Sequence, residues 1–210
     1  MTEDEARAWL RDHLAVPRET EERIEAFIAF LLEEGDKQNL ISASTREHVW
    51  ARHIVDSAQL VPKAKDAPAG PWMDLGSGAG FPGLIVAALT DRPIVLVESR
   101  RKRVDFLGES AEILGVGDRV RVEGRRLETV ERFDAAVISA RAFAPLERLF
   151  ALAERFSRPN TLWLLPKGRN APSELEAASK TWQGVFHVEQ SLTDADSSII
   201  VARGVKRGKA

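Results

Sequence analysis

The spacing of hydrophobic positions changes near residue 70 and divides the chain into two parts. In residues 1–66 apolar side chains recur at helical spacing. One such stripe consists of Ile24, Phe27, Ile28, Leu31 and Leu32. Segment 64–71, AKDAPAGP, is rich in small residues, Pro and Gly, and it is typical of a linker. We therefore predict an N-terminal helical cap at residues 1–66 and a second domain at residues 67–210.

Two local signals predict where the helices of the cap end and begin. Gly35 follows the apolar stripe at a position typical of a helix C-cap. Ser44-Thr45-Arg46-Glu47 has the pattern of a capping box, and it predicts the first turn of another helix. Pro62 lies near the end of that helix, because proline interrupts helical hydrogen bonding.

From Trp72 onward, short apolar runs alternate with helical stretches. The predicted strands are 71–75, 93–97, 119–122, 134–139, 160–165, 185–190 and 198–203. The predicted helices are 82–90, 100–114, 144–156 and 172–182. This alternation indicates βαβ units and a parallel sheet. The last two strands are separated only by the polar turn LTDADSS, which predicts an antiparallel hairpin at one edge of the sheet.

Composition favours one globular α/β domain with a small appendage. The chain has 210 residues, of which 44% are hydrophobic and 30% charged. It contains no cysteine, which excludes disulfides and thiolate metal sites. The start, MTEDEARAWL, is polar and acidic, unlike a signal peptide. No apolar run approaches the roughly 20 residues that span a bilayer, so we predict a cytoplasmic protein without membrane contact.

The distribution of charge is more informative than the net charge of −2. Residues 1–36 contain eleven acids and four bases, so the remaining residues carry a net charge of +5. With an acidic N-terminal segment and a basic remainder, one face of the protein is suited to an anionic partner.

The segment Asp74-Leu75-Gly76-Ser77-Gly78-Ala79-Gly80 carries the main candidate chemistry. Its glycines allow a sharp turn and a close approach of the backbone to a ligand. The overlapping G-x-G-x-x-G of 78–83 is the pattern of a dinucleotide loop. However, the carboxylate of Asp74 would repel a phosphate, and it suits a ligand with positive charge such as S-adenosylmethionine. A tight turn without a ligand is the third interpretation.

Glu98 is the second marker of a nucleoside ligand. It ends an apolar run 22 residues after Gly76, where an acid accepts hydrogen bonds from ribose hydroxyls. Such an acid occurs in both nucleotide-binding families, so it supports an adenosine ligand without choosing between the two. The terminal hairpin, which is the usual end of a class I methyltransferase sheet, favours S-adenosylmethionine.

Together these features resemble the RsmG (GidB) family, which methylates the 7-nitrogen of a guanine in bacterial small-subunit ribosomal RNA. The resemblance covers most of the chain. The segments that carry it are Asn39-Leu40-Ile41, Arg52-His53-Ile54-Val55-Asp56-Ser57, the loop from Asp74 to Gly83 with its Phe81-Pro82-Gly83 end, Glu98-Ser99, Lys102-Arg103-Val104-Asp105-Phe106-Leu107, Ser139-Ala140-Arg141-Ala142 and Leu165-Pro166-Lys167-Gly168.

The resemblance implies a class I S-adenosylmethionine-dependent methyltransferase fold. This is an α/β fold with a Rossmann-like seven-stranded sheet and an antiparallel last strand, to which the N-terminal helical cap is added. It also implies that Gly76 and Phe81 contact the cofactor and that Arg126-Leu127 lies by its adenine. Arg141 is implied at the cofactor or target pocket. The residues predicted to bind S-adenosylmethionine are Asp74, Gly76, Gly78, Gly80, Phe81, Glu98, Arg126, Leu127 and Arg141.

Methylation of the guanine 7-nitrogen needs no general base, because this atom carries a free lone pair at neutral pH. Catalysis is then mostly alignment of nucleophile, methyl and sulfur. We assign no residue as a general base, and Arg141 and Lys167 are the candidate positioning residues. Phe81 or Phe143 is a candidate to stack on the base, although ordinary core packing also explains Phe143.

Basic residues suggest where RNA binds. Arg100, Arg101, Lys102 and Arg103 open a helix, either as a solvated surface or as a phosphate-binding run. Arg125 and Lys167 join the predicted RNA-binding set by resemblance. A disordered basic tail with Arg203, Lys206, Arg207 and Lys209 is a further hypothesis, and this tail contacts RNA or has no role.

His53 and Asp56 lie three residues apart on one helical face. The four histidines are not spaced as metal ligands, so we predict no metal site. We interpret the pair as a hydrogen-bonded strut between the cap and the sheet, with a role in the target pocket as the alternative.

The sequence thus predicts methylation of a guanine 7-position in 16S ribosomal RNA. The expected cofactor is S-adenosylmethionine, and the expected partner is the RNA or the small ribosomal subunit. We expect the protein to be a monomer. The alternatives are a methyltransferase for another RNA, a protein or a small molecule, and a nucleotide-binding module or NAD-dependent oxidoreductase.

Overall fold

A seven-stranded sheet forms the centre of the computed structural model, which describes residues 1–208. The strands are β1 (Trp72–Leu75), β2 (Ile94–Val97), β3 (Val120–Glu123), β4 (Val137–Ala140), β5 (Leu162–Lys167), β6 (Trp182–Gln190) and β7 (Ser198–Arg207). Their order in the sheet is β3-β2-β1-β4-β5-β7-β6. The first five strands are parallel, and β7 runs antiparallel to both β5 and β6. The predicted sheet and its antiparallel last strand are confirmed, with β6 beginning three residues earlier than predicted.

Helices cover both faces of the sheet. They are α1 (Glu3–Leu14), α2 (Arg18–Gly35), the π-helix (Trp50–Val55), α3 (Asp56–Ala58), α4 (Leu60–Lys63), α5 (Gly83–Leu89), α6 (Arg101–Ile113), α7 (Leu146–Ala153) and α8 (Ala171–Ala178). Because successive side chains of a strand point to opposite faces, Trp72 packs in the core beneath α5 and α6. The next residue, Met73, packs in the core beneath α7 and α8.

The helices of the cap share one hydrophobic core with α5 and α6. Phe27 of α2 lies 5.8 Å from the ring of Phe81 and 6.3 Å from that of Phe106. The cap is therefore packed directly on the elements that follow β1 and β2. The division of the chain into domains 1–66 and 67–210 stays a prediction.

The helix predicted from the capping box at Ser44 begins later than expected. Residues Ala43–Thr45 form a short 3₁₀ turn, in which the Thr45 hydroxyl donates to the Ser42 carbonyl oxygen. The first turn of the π-helix is capped instead by Glu3, whose carboxylate accepts from the Trp50 and Ala51 N–H groups, each at 3.0 Å. This carboxylate, which is distant in sequence, satisfies the backbone N–H groups that a side chain next to the helix usually caps.

Two further predictions, one about the end of α2 and one about the C-terminal basic residues, differ from the structure. Gly35 is the last residue of α2, and the cap position belongs to Asp36. Arg203, Lys206 and Arg207 lie in β7, so the hypothesis of a disordered basic tail is wrong for these three residues. Lys209 lies outside the described residues. Within residues 1–208, no helix has the length and apolar character that a membrane crossing requires.

Candidate active site

Asp74 holds the glycine loop in place from beneath. Its side chain is fully buried at the end of β1. One carboxylate oxygen accepts from the Ser139 hydroxyl at 2.6 Å, and the other accepts from the Gly83 N–H at 3.3 Å. Burial raises the pKa of Asp74 to about 6, against the opposing effect of these hydrogen bonds. Because no part of Asp74 is exposed, its side chain supports the loop from within, and its predicted place in the cofactor site stays a prediction.

The loop after β1 turns sharply at three glycines. Gly76, Gly78 and Gly80 have φ values of 65°, 57° and 89°, in the left-handed region that favours glycine. A Cβ on Gly76 would lie 2.5 Å from Cδ2 of Phe143, which belongs to the segment after β4. The loop backbone thus lies directly against that segment. Of the three glycines, Gly76 lines a cavity, and the other two shape the turn.

The first cavity, called here the glycine-loop cavity, opens at the carboxyl edge of β1 and β2 and has a volume of about 460 Å³. Its inner wall is formed by Gly76, Val97, Glu98 and Leu127. Its rim carries four exposed arginines, Arg100, Arg125, Arg126 and Arg148. The predicted pair Arg126-Leu127 is therefore divided, because Leu127 is part of the wall and Arg126 is part of the exposed rim.

Glu98 ties the glycine loop to the start of α6. Its Oε1 accepts from the N–H groups of Ser99 and Arg100 at 2.7 and 2.9 Å, and its Oε2 accepts from the Gly78 N–H at 3.2 Å. Only 7% of the residue is exposed, on the cavity wall. The structure thus brings the two markers predicted from sequence, the glycine loop and this acid, to one cavity.

The predicted basic run does not form one continuous phosphate-binding surface. Arg100, Arg101 and Lys102 are exposed, and Arg101 pairs with Asp105 at 3.0 Å. Arg103 is turned inward, where it donates to the Asn39 carbonyl oxygen at 3.0 Å. Arg103 therefore links α6 to the cap, and because it also lines the glycine-loop cavity, its predicted role in RNA binding stays a prediction.

Lys167 at the end of β5 is also less accessible than predicted. Its side chain is 9% exposed, and its Nζ donates to the Ala144 carbonyl oxygen at 2.9 Å and to Glu174 Oε2 at 2.8 Å. A partnered and largely buried ammonium is not a surface contact for an RNA backbone. Lys167 lines the second cavity, so a positioning role there stays a prediction.

The second cavity, called here the arginine cavity, has a volume of about 620 Å³ and is centred on Arg141. The guanidinium of Arg141 donates to His53 Nδ1 at 3.0 Å and to Asp56 Oδ2 at 3.2 Å. These bonds join the cap to the end of β4 and confirm the predicted strut. Because His53 and Asp56 also line the cavity, the strut and the pocket wall are the same structure. Arg141 lines this cavity and does not line the glycine-loop cavity.

Residues of the β6–β7 turn form a wall of the arginine cavity that the sequence did not reveal. The Thr193 hydroxyl donates to Asp56 Oδ1 at 2.9 Å, and Arg52 pairs with Asp194 at 2.7 Å. The segment LTDADSS has the composition of any polar turn, so it gives no signal for this role. Its position next to the π-helix is shown only by its contacts with residues of the cap.

The two cavities meet at Ala142, Phe143 and Ala144, which line both. Ala142 has a φ of 52°, a conformation that non-glycine residues rarely adopt and that is often found at functional sites. Phe143 is half-buried at this junction. Phe81, in contrast, is 3% exposed and lines neither cavity, with the His53 ring stacked on it at 4.9 Å. Its side chain thus reaches neither cavity, and its predicted contact with cofactor or base stays a prediction.

His53 is held as a neutral imidazole. Burial, followed by the positive charges of Arg141 and Arg52, lowers the pKa of His53 to about 3. Because Arg141 donates to Nδ1, the proton resides on Nε2, which donates to the Thr45 hydroxyl at 2.9 Å. Among residues 1–208, no three His, Asp or Glu side chains form a group that could hold a metal ion.

This depressed pKa predicts a loss of stability in mild acid. Between pH 6.5 and about 3 the unfolded chain binds a proton at His53 that the folded protein does not bind, so the free energy of unfolding falls as the pH falls. The slope from this one group is at most about 1.4 kcal/mol per pH unit. It is measured by urea unfolding between pH 4 and 7, with His53→Gln as the comparison. Asp74 is present in both proteins, so its contribution cancels when the two are compared. Parallel curves of the free energy of unfolding against pH would contradict the depressed pKa of His53.

Comparison with known proteins identifies similar sequences over the full chain. Residues 20–204 match the family model GidB, described as rRNA small subunit methyltransferase G. The chain is 58% identical to the ribosomal RNA small subunit methyltransferase G of Rhizorhabdus wittichii, over 100% of this chain and 96% of that protein. It is 51% identical to the protein of the same name from Zymomonas mobilis, over 96% of this chain and 94% of that protein.

Solved structures with similar folds include proteins crystallised with S-adenosylmethionine. A variant of MtNAS in complex with this molecule aligns with a TM-score of 0.61 at 14% identity, covering 96% of this chain and 83% of that one. The O-methyltransferase TomG from Streptomyces achromogenes, also in complex with it, aligns with a TM-score of 0.59 at 14% identity, covering 85% and 89% of the two chains. At this identity the likeness shows the fold, a class I methyltransferase fold as predicted.

Proposed function

Because the chain belongs to the GidB family, the ribosomal RNA small subunit methyltransferases G, we propose that it methylates the 7-nitrogen of a guanine in 16S ribosomal RNA. It is an S-adenosylmethionine-dependent methyltransferase. The observation that supports this function best is the pair of cavities that share the wall Ala142–Ala144. One cavity suits the cofactor and the other suits the base, so the shared wall would hold the methyl donor and the methyl acceptor next to each other. The protein acts as a cytoplasmic monomer on the RNA or on the small subunit.

The glycine-loop cavity fits S-adenosylmethionine in size and chemistry. A volume of about 460 Å³ is within the range of small-molecule sites. Glu98 presents a carboxylate that accepts hydrogen bonds from ribose hydroxyls, and Val97 and Leu127 offer apolar surface to the adenine. When bound, the cofactor supplies an electrophilic methyl group on a sulfonium. The residues named here bind and orient it.

In the arginine cavity the chain provides positioning and no proton acceptor. The guanine 7-nitrogen attacks with its own lone pair, so no base is required. His53 cannot serve as one, because Arg141 occupies Nδ1 and Nε2 carries the proton. Arg141 is anchored by His53 and Asp56, and its remaining N–H donors hold the guanine carbonyl oxygen or a phosphate. Fixed alignment of this kind supplies much of the rate in such a reaction.

Glu98 gives the first test of the cofactor site. We expect wild-type protein to bind S-adenosylhomocysteine and not NAD in calorimetry. Glu98→Gln removes the charge that accepts the ribose hydrogen bonds and should weaken binding about tenfold or more. The control Glu131→Gln changes an exposed acid outside both cavities and should bind as the wild type does. Binding of NAD without binding of S-adenosylhomocysteine would contradict the methyltransferase assignment.

The arginine rim of the glycine-loop cavity predicts a salt-dependent RNA affinity. Arg100 and Arg148 are exposed and have no carboxylate partner among residues 1–208. Each phosphate contact contributes about 0.7 to 0.9 to the slope of log K against log salt. Arg100→Gln with Arg148→Gln should therefore lower this slope by roughly 1.5, measured by filter binding to 16S ribosomal RNA.

A matched control for the rim is available at the opposite edge of the sheet. Arg132→Gln with Lys206→Gln removes the same charge there, and it should leave the slope nearly unchanged. An equal decrease in both double variants would show that only net charge matters, and the rim would then be ordinary solvated surface.

The function itself is tested by mapping. RNA from a strain that lacks this protein is incubated with the purified protein and labelled S-adenosylmethionine, and the modified nucleotide is located and identified. We expect 7-methylguanine at one position of 16S ribosomal RNA. Label in another RNA, in protein or in a small molecule would replace the proposal with one of the alternative methyltransferase functions.

A further inference from the structure

The carboxylates that line the arginine cavity differ in how completely they are bonded. Asp56 accepts from Gln59 and Thr193 through Oδ1 and from Arg141 through Oδ2. Asp194 accepts from the Asp196 N–H through Oδ1 and from Arg52 through Oδ2. Every oxygen of these two acids therefore already has a protein donor.

Glu174 of α8 is different. Its Oε2 accepts from the Leu146 N–H at 3.1 Å and from Lys167 Nζ at 2.8 Å. Its Oε1 has no donor anywhere in residues 1–208, although the half-buried side chain lines the cavity and is only 29% exposed. A carboxylate fixed by one oxygen and open at the other is suited to receive a ligand N–H.

From this arrangement we propose that Glu174 selects guanine by accepting a hydrogen bond from its Watson–Crick edge through Oε1. The inference rests on the proposed function, because it names the edge by which the methylated base is recognised. A base taken out of its stack is generally read by hydrogen bonds to this edge. The 7-nitrogen lies on the other side of the ring, so Glu174 and the cofactor approach the base from different sides.

Lys167 makes the match specific for guanine. Its ammonium has three donors, of which two bind Ala144 and Glu174, and the third is free to hold a ligand oxygen. A donor beside an acceptor is the complement of guanine, which presents a carbonyl oxygen next to an N–H. Adenine presents an amino group next to an unprotonated nitrogen, so both contacts would be repulsive. Sites built to hydrogen-bond a substrate strongly reject analogues that leave their polar groups unpaired.

The substitution Glu174→Gln tests this with little structural change. The glutamine oxygen retains the bonds from Leu146 and Lys167, while its amide nitrogen replaces the open Oε1 and presents a donor to the guanine N–H. Single-turnover methylation is measured on RNA with guanosine or adenosine at the mapped position. We expect the guanosine rate to fall about 100-fold and the adenosine rate not to fall, so the preference for guanosine decreases by a similar factor.

Control measurements separate recognition from folding. Glu176→Gln alters an exposed acid two residues further along α8, outside the cavity, and should keep wild-type rates. The affinity for S-adenosylhomocysteine should be unchanged in both variants. An unchanged guanosine rate in Glu174→Gln, or an equal fall with both bases, overturns the inference. A wild-type protein that forms no 7-methylguanine instead overturns the proposed function, so the two failures are distinguishable.

Discussion

Replacing Arg141 with alanine is expected to lower the single-turnover rate of guanine methylation by about 100-fold or more. The guanidinium spans His53 and Asp56, lies 5.1 Å from the centre of the Phe81 ring and lines the arginine cavity. Without it the base loses a fixed donor, and the π-helix loses its link to the end of β4. The affinity for S-adenosylhomocysteine, measured by calorimetry, should change by less than about threefold, because Arg141 does not line the glycine-loop cavity.

Two variants show whether the effect is specific. Arg141→Lys keeps the charge, but a single ammonium cannot bridge His53 and Asp56, so most of the loss should remain. Arg46→Ala removes an arginine with similar bonding, to Asp36 and the Leu32 carbonyl oxygen, that lies outside both cavities. It should keep the wild-type rate. Equal losses in Arg141→Ala and Arg46→Ala would assign Arg141 to stability alone.

Substitution of Gly83 by alanine is expected to have the largest effect on stability. A Cβ there would lie 2.3 Å from Leu96 Cδ2 and 2.9 Å from Asp74 Oδ2. Both the Leu96 side chain and the buried Asp74 carboxylate must shift, and overpacking of this kind costs about 1 to 3 kcal/mol. Because Asp74 also accepts from the Gly83 N–H, the glycine loop should be displaced and S-adenosylhomocysteine binding weakened. Urea unfolding and calorimetry measure the two effects.

Gly108 provides the matched control for this substitution. It lies within α6, and a Cβ there would meet nothing within 4 Å. Gly108→Ala should therefore raise the free energy of unfolding by roughly 0.5 to 1 kcal/mol, because alanine is the better helix former. If both variants were destabilised alike, crowding at Gly83 would not be the cause.

The sheet and most helices could be predicted because their apolar spacing is a local property of the sequence. The start of the π-helix could not, since its capping carboxylate comes from Glu3, 47 residues before Trp50. A capping-box pattern at Ser44 indicates only that a helix is possible there. It does not show that the hydroxyls bond within a 3₁₀ turn.

The candidate site shows the same limit. The glycine loop and Glu98 were visible as a pattern, and the structure brings them to one cavity. The partners of charged residues were not visible, so Asp74, Arg103 and Lys167 were expected to face ligands. In the structure these three side chains are hydrogen-bonded to protein partners instead. Asp74 is bonded to Ser139, Arg103 to Asn39 and Lys167 to Glu174. The sequence shows which side chains carry charge, but only the fold shows which of them lack a protein partner and are available to a ligand.

The position of β7 has a consequence for the order in which the protein becomes active after synthesis. β7 follows the other six strands of this sheet in the sequence, yet it lies between β5 and β6. A nascent chain that ends before Ser198 can complete β1 to β5 and the glycine-loop cavity, but its β6 has no neighbour in the sheet. The turn that carries Thr193 and Asp194 then lacks the paired strand that holds it beside the π-helix, where these residues bond to Asp56 and Arg52. The cavity for the base is therefore finished only after β7 has been synthesised, and a chain truncated before β7 would retain cofactor binding without methylating RNA.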